Sequence, residues 1–376
     1  MMKAEKHRKH NSFTGGFLKA AAVLMVLIAA CVVLLDPFYH YHGPLPGLKA
    51  VLNEKEYQVV GTLRHFDYDA VLAGSSVVEN NDNAWFDEGF GVRTVKAVRS
   101  YGCVADLCWF LDEAFAAQEV RRVFFNLDPT ALIVPPETTF EATGCPMYLY
   151  DRNPLTDVQY LFNKTVLFEK IPYMIAQSLS GSYKESLSYN WSADKDFSRN
   201  GALSHYYRFK EVQPMKAEDY YEKELRGNID LLVKEVAEHP DTQFVFFIPP
   251  YSVIWWDDVY RSGQRDAYLY CEQEVAAALL EYENVSVYDF QNETEIITNL
   301  DLYMDTVHFS PSVNGYMAQV MIDGENGRET AGAEAGQKLT KDNYRSVFDQ
   351  TRRFSEEQVP VQVRELEEQD AFIYGE

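Results

Sequence analysis

Short apolar segments alternate with helical patterns from Tyr68 to Phe290, and this alternation restricts the possible fold more than any other feature of the chain. The segments are almost continuously apolar, as in strands that are buried on both faces. The alternation predicts an α/β fold in which helices cover both faces of a parallel sheet. The predicted strands are residues 71–73, 92–98, 122–127, 243–248 and 285–290, and the predicted helices are residues 83–88, 104–117, 217–238 and 266–281.

A second apolar segment, near the N-terminus, is long enough to cross a bilayer. Residues 17–35 are apolar except for Lys19, and residues 1–16 form a basic tail. The positive-inside rule predicts a cytoplasmic tail, a single transmembrane anchor and an extracytoplasmic remainder. A cleaved signal peptide and a lipoprotein signal ending at Cys31 are the alternatives. We favour the uncleaved anchor because the apolar run continues beyond Cys31 to Leu35.

The remaining chain divides by composition. We predict that residues 36–60 form a membrane-proximal linker and that residues 61–325 form the α/β domain. The alternation stops at about residues 135–215, where we predict a helical, aromatic-rich insertion. Its aromatic side chains either line a groove for sugar rings or form a small core of their own. Residues 326–376 predict an acidic extension made of surface helices or a partly ordered tail.

Charge and cysteine spacing exclude several classes of function. The net charge of −23 argues against a nucleic-acid partner, because such a surface repels phosphates. The five cysteines lack the spacing of a zinc site. His40 and His42 are two residues apart without further ligands, which favours aromatic residues at a membrane interface over a metal site. The sequence predicts neither a metal nor a cofactor.

Polar residues follow the first and the last region of the predicted sheet. Gly74 ends the first strand and precedes Ser75 and Ser76, a pattern that fits an exposed hydroxyl at the strand tip or an N-cap of the next helix. Asp305 and His308 lie three apart before a predicted helix. There a carboxylate can hold an imidazole tautomer whose other nitrogen faces a serine, or the pair can cap the helix.

This combination resembles the SGNH/GDSL hydrolase superfamily, and most specifically a membrane-anchored bacterial branch related to cell-surface O-acyltransferases. The resemblance extends from the anchor to about residue 322. It rests on four blocks: Asp-Pro-Phe-Tyr-His-Tyr-His at 36–42, Gly-Ser-Ser-Val-Val-Glu-Asn at 74–80, Phe-Ile-Pro-Pro-Tyr-Ser at 247–252 and His-Phe-Ser-Pro-Ser-Val-Asn at 308–314.

The resemblance implies a three-layer α/β/α, flavodoxin-like domain with a catalytic triad. Ser76 corresponds to the family's nucleophile, and Ser75 is the alternative. His308 corresponds to the general base and Asp305 to the residue that orients it. No cofactor is implied.

The same resemblance implies an oxyanion hole formed by the Ser76 N–H, Gly102 and Asn126. The glycine that usually precedes the asparagine is absent here, and capping of the loop is an alternative role for Asn126. Glu79 and Asn80 follow the nucleophile by about one turn. They either contact the substrate or shape the turn, and we favour the second role.

These features together predict an anchored, extracytoplasmic, serine-dependent esterase or O-acyltransferase. Its expected partner is a cell-surface polysaccharide or polyol-type polymer, an expectation based on analogy with O-acyltransferases of polysaccharides and teichoic acids. One alternative is an inactive module of the same fold that binds or assembles wall polymer. Another is a surface protein that binds a protein partner through its acidic tail and aromatic insertion.

Overall fold

The computed structural model describes residues 2–328 and 338–375, with side chains from residue 14 onward. The chain divides into two compact units. The first, here called the N-terminal unit, comprises Met1–Phe66 and Cys145–Glu185. The second, here called the sheet unit, comprises Asp67–Gly144 and Ser186–Glu376.

The sheet unit is built on a mostly parallel sheet with the order β2-β1-β3-β5-β6-β7. Its five parallel strands therefore run 2-1-3-4-5 in chain order, the order of flavodoxin-like doubly wound sheets. A short parallel pair, β4 with β8, lies outside this sheet. The strands are β1 Ala70–Gly74, β2 Thr94–Val98, β3 Arg122–Asn126, β4 Tyr207–Arg208, β5 Gln243–Ile248, β6 Val285–Asp289, β7 Lys338–Leu339 and β8 Ile373–Tyr374.

The predicted α/β class with a mostly parallel sheet is confirmed, and one strand departs from the pattern. Each parallel strand of the six-stranded sheet lies where an apolar run predicted one, because these strands are buried over most of their length. The two-residue strands β4 and β8, outside that sheet, were not predicted. Strand β7 pairs antiparallel with β6 and was not predicted. Two residues beside a polar stretch carry no periodicity, so only the pairing itself reveals this edge strand.

Helices make up most of the remaining structure. Those that flank the sheet bury one face, as α10 does with Leu225, Ile229, Leu232 and Val236 at helical spacing. The α-helices are α1 Met2–Leu35, α2 Lys55–His65, α3 Asn83–Phe90, α4 Val104–Ala117, α5 Pro129–Leu132, α6 Met147–Tyr150, α7 Val158–Leu161, α8 Ile171–Ser180, α9 Arg199–Ser204, α10 Glu222–Glu238, α11 Val253–Arg261, α12 Arg265–Leu279, α13 Thr294–Ile297, α14 Pro311–Glu325, α15 Tyr344–Arg353 and α16 Val359–Glu368.

The C-terminal helices contribute to the core of the sheet unit. Helix α15 packs against α12, and α16 packs against α11. Phe348, Phe354 and Val363 are buried in these contacts or beside them. The expected acidic tail of surface helices is therefore a packed part of the fold over most of its described length.

The N-terminal unit begins with the long helix α1. Its segment Thr14–Leu35 has a mean hydropathy of 2.8 and is long and apolar enough to span a membrane. Among residues 14–35 only Val32 is buried.

Residues 36–60, expected to be a linker, are ordered by the buried carboxylate of Asp36. Its oxygens accept hydrogen bonds from the backbone N–H groups of His40, Tyr41 and His42. They also accept one from the Tyr160 hydroxyl at 2.7 Å. The turn then packs against α2, where a side chain at Gly61 would collide with the carbonyl oxygens of Phe38 and Tyr39. This dense packing explains why the segment does not behave as a linker.

The aromatic insertion expected at residues 135–215 is divided between the units, since only residues 145–185 belong to the N-terminal unit. Tyr160 is buried in the N-terminal unit, and Tyr189 and Tyr206 are buried in the sheet unit. Phe168 and Tyr207 are exposed. Many of these aromatic residues therefore form cores, and the insertion is not one independent subdomain.

Replacing Asp36 by alanine is expected to destabilise the N-terminal unit. The change leaves buried donors without an acceptor, each of which costs about 1–3 kcal/mol. We expect a lower unfolding midpoint for Asp36→Ala in calorimetry of the detergent-solubilised chain. Asp67→Ala, which removes an exposed carboxylate, is the control and should leave the midpoint nearly unchanged. Equal midpoints for the two variants would contradict the role of Asp36.

Candidate active site

The site is organised by the turn that follows β1. A Cβ atom at Gly74 would lie 2.8 Å from both Asn126 Cβ and Val78 Cγ2, so only glycine allows the strand to end this close to β3. Ser75 is extended, and Ser76–Val78 form one turn of 3₁₀-helix. The turn places the Ser76 hydroxyl at the carboxyl end of the sheet, where ligands bind in open α/β folds.

The structure brings Ser76, His308 and Asp305 into one hydrogen-bonded relay. Ser76 Oγ lies 2.7 Å from His308 Nε2, and His308 Nδ1 lies 2.7 Å from Asp305 Oδ2. Because the carboxylate accepts a hydrogen bond from Nδ1–H, Nε2 carries no proton and can accept the serine proton. This is the arrangement in which a serine hydroxyl is activated for attack on a carbonyl carbon.

Asp305 is held in the ionised form that this relay requires. Burial acts to raise its pKa, but hydrogen bonds from the His308 ring and from the backbone of His308 and Val307 hold that pKa below its ordinary value. The two backbone bonds, at 2.7 and 2.9 Å, also fix the carboxylate in the loop before α14. The carboxylate is thereby positioned before any substrate binds.

Ser75 has a different environment from Ser76. It is buried, and its Oγ donates to Asp128 Oδ2 at 3.0 Å. The other carboxylate oxygen of Asp128 accepts from the N–H and the hydroxyl of Thr130. Of the two candidate serines, the structure therefore places only Ser76 against His308.

The proposed oxyanion donors are arranged unequally. The Ser76 N–H opens the 3₁₀ turn and has no hydrogen-bond acceptor within the described residues. Gly102 lines the same cavity as Ser76, but its N–H donates to the Arg99 carbonyl at 3.2 Å. Tyr101 in this turn has a φ of 55°. The Gly102 N–H therefore reaches a substrate oxygen only if the turn changes.

Asn126 lies at the end of β3, as expected, but it does not border the cavity. Its side-chain nitrogen and oxygen are buried without a hydrogen-bond partner among the described residues. Its Cβ packs beside Gly74. The structure thus places Asn126 behind the serine turn rather than at the cavity surface.

Ser76 and His308 open into a cavity of about 420 Å³. Its volume lies within the range of small-molecule sites. Apolar atoms make up most of the wall surface, and Asp128, Thr130 and His308 add polar groups. The lining residues are Ser75, Ser76, Val77, Tyr101, Gly102, Cys103, Asp128, Thr130, Ala131, Val134, Tyr251, Val307 and His308.

Beneath the serine turn lies a buried lysine that the sequence analysis did not identify. Lys96 Nζ donates to the carbonyl oxygens of Glu79, Asn81 and Ser188 at 2.7, 2.7 and 2.6 Å. Burial lowers the pKa of Lys96 to about 7, and the negative charge of Glu79 opposes that shift. Three donated bonds use every N–H of the ammonium group, so Lys96 ties the turn to the loop around Ser188.

Glu79 and Asn80 shape this arrangement rather than the cavity wall. Both are buried, and neither borders the cavity. Asn80 accepts hydrogen bonds at 3.2 Å from the Trp191 N–H and the Asn190 side chain. Their placement fits the favoured role of shaping the turn and does not support the other role, contact with the substrate.

Trp191 is a second neighbour of the relay that sequence reasoning did not single out. Its ring meets the His308 imidazole edge to face, with the centroids 5.3 Å apart. The sequence showed Trp191 only as one of many aromatic residues in the insertion. Its contact with His308 joins residues more than one hundred positions apart, and no local pattern marks it.

His40 and His42 take part in hydrogen bonds within the N-terminal unit. His40 Nε2 lies 3.1 Å from Asp157 Oδ1. Both ring nitrogens of His42 face carbonyl oxygens, those of Gly43 and Val33, at 2.6 and 2.8 Å. Within the described residues, no group of three or more His, Cys, Asp or Glu side chains is arranged to hold a metal.

Comparisons with known proteins give little additional information. No family model matches the chain, and no curated protein matches it. Among solved structures, it is similar to "a putative platelet activating factor from Streptococcus pneumonia" at 12% identity. That match covers 73% of this chain and 91% of the other, with a TM-score of 0.36. A likeness at this TM-score does not establish a shared fold or function.

Lys96→Met is expected to destabilise the sheet unit and disturb the relay. The apolar side chain has a similar length but leaves three buried carbonyl oxygens without their donor, at a total cost of about 2–5 kcal/mol. We expect a correspondingly lower free energy of unfolding in urea titrations of the detergent-solubilised chain.

Lys223→Met is the matched control, because Lys223 is exposed on α10. Its free energy of unfolding should stay within about 0.5 kcal/mol of the parent value. If Lys96→Met were as stable as this control, the stabilising role assigned to the three hydrogen bonds of Lys96 would be wrong.

Proposed function

We propose that this chain is a membrane-anchored, extracytoplasmic serine ester hydrolase or O-acyltransferase of the SGNH type, with a three-layer, flavodoxin-like α/β/α domain. The observation that carries the proposal is the relay of Ser76, His308 and Asp305 at the mouth of a cavity of about 420 Å³. The order of the parallel strands supports the proposed fold.

In the first step, Ser76 Oγ attacks the carbonyl carbon of an ester. His308 Nε2 accepts the serine proton as the new C–O bond forms. The charge that develops on the imidazole is stabilised by Asp305, which accepts the Nδ1–H bond. His308 then donates the proton to the departing alcohol oxygen, which leaves an acyl group on Ser76.

In the second step, water or a hydroxyl group of an acceptor attacks the acyl-enzyme. His308 again removes the proton, and the Ser76 oxygen recovers it when the acyl–oxygen bond breaks. In both steps the Ser76 N–H, which no acceptor among the described residues engages, is the proposed donor to the carbonyl oxygen. The Gly102 N–H joins it once the turn at Tyr101 rearranges.

The lining of the cavity supports an ester with an apolar acyl group. Val77, Ala131 and Val134 offer apolar contacts next to Ser76, in a cavity of the size that holds small molecules. The proposed acceptor or donor polymer is a cell-surface polysaccharide or polyol. This part of the proposal rests on the apolar helix α1 and on the resemblance to envelope O-acyltransferases.

A second candidate is a polymer-binding or assembly module that retains the fold without turnover. Two observations favour it: the Gly102 N–H is bonded to Arg99, and Asn126 lies outside the cavity lining. In this case the apolar cavity would bind an acyl group or sugar ring without cleaving it.

Ser76→Ala is expected to abolish both covalent labelling and turnover. We would treat the full-length chain in detergent with a fluorophosphonate probe and measure release of p-nitrophenol from p-nitrophenyl acetate. Loss of the nucleophile should reduce the hydrolysis rate by about 10⁴-fold, or to background. Addition of glycerol would then show, by the acetylated product, whether a hydroxyl competes with water.

The control is Ser346→Ala, which changes an exposed serine on α15. This variant should label and turn over like the parent chain. If a folded parent chain neither labels nor hydrolyses the ester, the binding-module function replaces the enzymatic one. Labelling that persists in Ser76→Ala would move the nucleophile to another residue.

Asp305→Asn tests the orienting carboxylate separately. The neutral amide accepts a weaker hydrogen bond from Nδ1–H than the carboxylate does. Its NH₂ group can also donate to Nδ1, which favours the wrong imidazole tautomer. We expect kcat for p-nitrophenyl acetate to fall by about 10³–10⁴-fold with a much smaller change in KM. An unchanged kcat would remove Asp305 from the proposed mechanism.

A further inference from the structure

Large apolar side chains are exposed in the part of the N-terminal unit formed by residues 145–185. They lie on α7, on α8 and on the π-helical turn Val166–Lys170, or close beside these elements. We call them the apolar patch: Leu155, Val158, Phe162, Phe168, Tyr173 and Leu179. Leu155, Phe168 and Leu179 are 82%, 73% and 72% exposed. Such clustering is unusual on a surface that faces only water.

Helix α8 lacks the polar outer face of a helix on a soluble protein. Its ten residues include no charged side chain. One face is buried through Ile171, Met174 and Ser178, and the Ser178 hydroxyl accepts the Lys49 N–H at 2.6 Å. The exposed residues are Pro172, Tyr173, Ala176, Leu179 and Ser180, and Gln177 is half-buried. Both faces are therefore largely apolar, which suits a helix with a nonpolar medium on its outer side.

Contacts with α1 place this segment beside the end of the apolar span. Helix α1 packs against α7 and against the turn Val166–Lys170. Val32, the buried residue of the span, lies three residues before its end at Leu35. The Tyr160 hydroxyl of α7 donates to Asp36, the residue directly after the span, at 2.7 Å.

The length of the span gives the depth of that contact. The 22 residues Thr14–Leu35 are about 33 Å long as a helix, close to the roughly 30 Å of a hydrocarbon core. Helix α7, which bonds to the residue directly after the span, therefore lies near the level of the lipid headgroups. The patch lies on α7, on the turn Val166–Lys170 and on α8, or close beside them.

The charge of the segment is compatible with a lipid surface. Residues 145–185 contain four acidic and four basic side chains, whereas the whole chain carries a net charge of −23. A strongly acidic surface would be repelled by anionic lipids, but this segment is neutral. Its apolar side chains can enter the interface without bringing uncompensated charge with them.

We infer that the apolar patch inserts into the outer interface of the bilayer that holds α1, with lipid headgroups and the first acyl carbons as its occupant. The N-terminal unit then has two attachments to the membrane: one spanning helix and one interfacial surface. The inference rests on the anchoring part of the proposed function and is independent of the chemistry of Ser76.

Photocrosslinking of the full-length chain tests this placement. We would introduce p-benzoyl-L-phenylalanine at Phe168 or Leu179, and reconstitute each protein in nanodiscs of phosphatidylglycerol and phosphatidylcholine with alkyne-tagged acyl chains. Leu24, within the apolar span, is the anchor control, and Tyr220, an exposed aromatic residue of the sheet unit, is the solvent control. Lipid adducts at Phe168 and Leu179 should exceed those at Tyr220 at least about five-fold.

Adducts at Leu24 but none above the Tyr220 level at Phe168 and Leu179 would overturn the inference. An absence of adducts at Leu24 as well would overturn the anchoring and the inference together. Crosslinks from Phe168 to a protein instead of lipid, in membranes of the producing cells, would replace the lipid occupant by a protein partner.

Fluorophosphonate labelling of the same variants separates the two proposals. Neither substitution alters the relay, so Ser76 should label as in the parent chain. Lipid adducts without Ser76 labelling in the parent would count against the enzymatic function alone and support the interfacial patch.

Discussion

The geometry of the candidate site depends on the buried ammonium group of Lys96. Its three hydrogen bonds join the backbone at Glu79 and Asn81, just after the serine turn, to the loop at Ser188. The loop in turn brings Trp191 against His308. An isolated buried charge is costly, and here three carbonyl oxygens compensate it. One interaction therefore holds both sides of the relay, because the turn carries Ser76 and the loop supports the imidazole.

The two adjacent serines show how a small backbone difference separates structural from chemical roles. The Ser75 hydroxyl donates its proton in a hydrogen bond to Asp128, so it is not directed at His308. Ser76 begins the 3₁₀ turn, and its hydroxyl contacts His308. Gly74 makes this possible because a side chain there would collide with Val78 and Asn126. The same crowding places Asn126 behind the turn, which leaves the Ser76 N–H as the accessible donor among the groups expected in the oxyanion hole.

In the N-terminal unit, Asp36 has a comparable organising role at the end of α1. It accepts the amides of the residues that follow and the hydroxyl of Tyr160 from α7, so the chain leaves the apolar helix in a rigid turn. The histidines of this turn bond to Asp157 and to backbone carbonyls. The start of the segment predicted to be a membrane-proximal linker is thus an ordered turn at the end of α1.

The α/β class, the five parallel strands and the positions of Ser76, Asp305 and His308 at the carboxyl end of the sheet could be predicted from the sequence. The class and the strands follow from local periodicity, and their common edge follows from the rule that parallel strands end together. Ser76, Asp305 and His308 were chosen from the resemblance of four short sequence blocks. Tertiary structure alone decided that Ser75 bonds to Asp128, that Lys96 is buried beneath the turn, that Trp191 contacts the imidazole, and that Gly102 and Asn126 are not equivalent. It also decided the antiparallel pairing of β7 and the division of the aromatic insertion. Most of these depend on contacts between residues far apart in the chain, and the bond from Gly102 to Arg99 depends on the exact geometry of one turn. Single-sequence periodicity carries no signal for either.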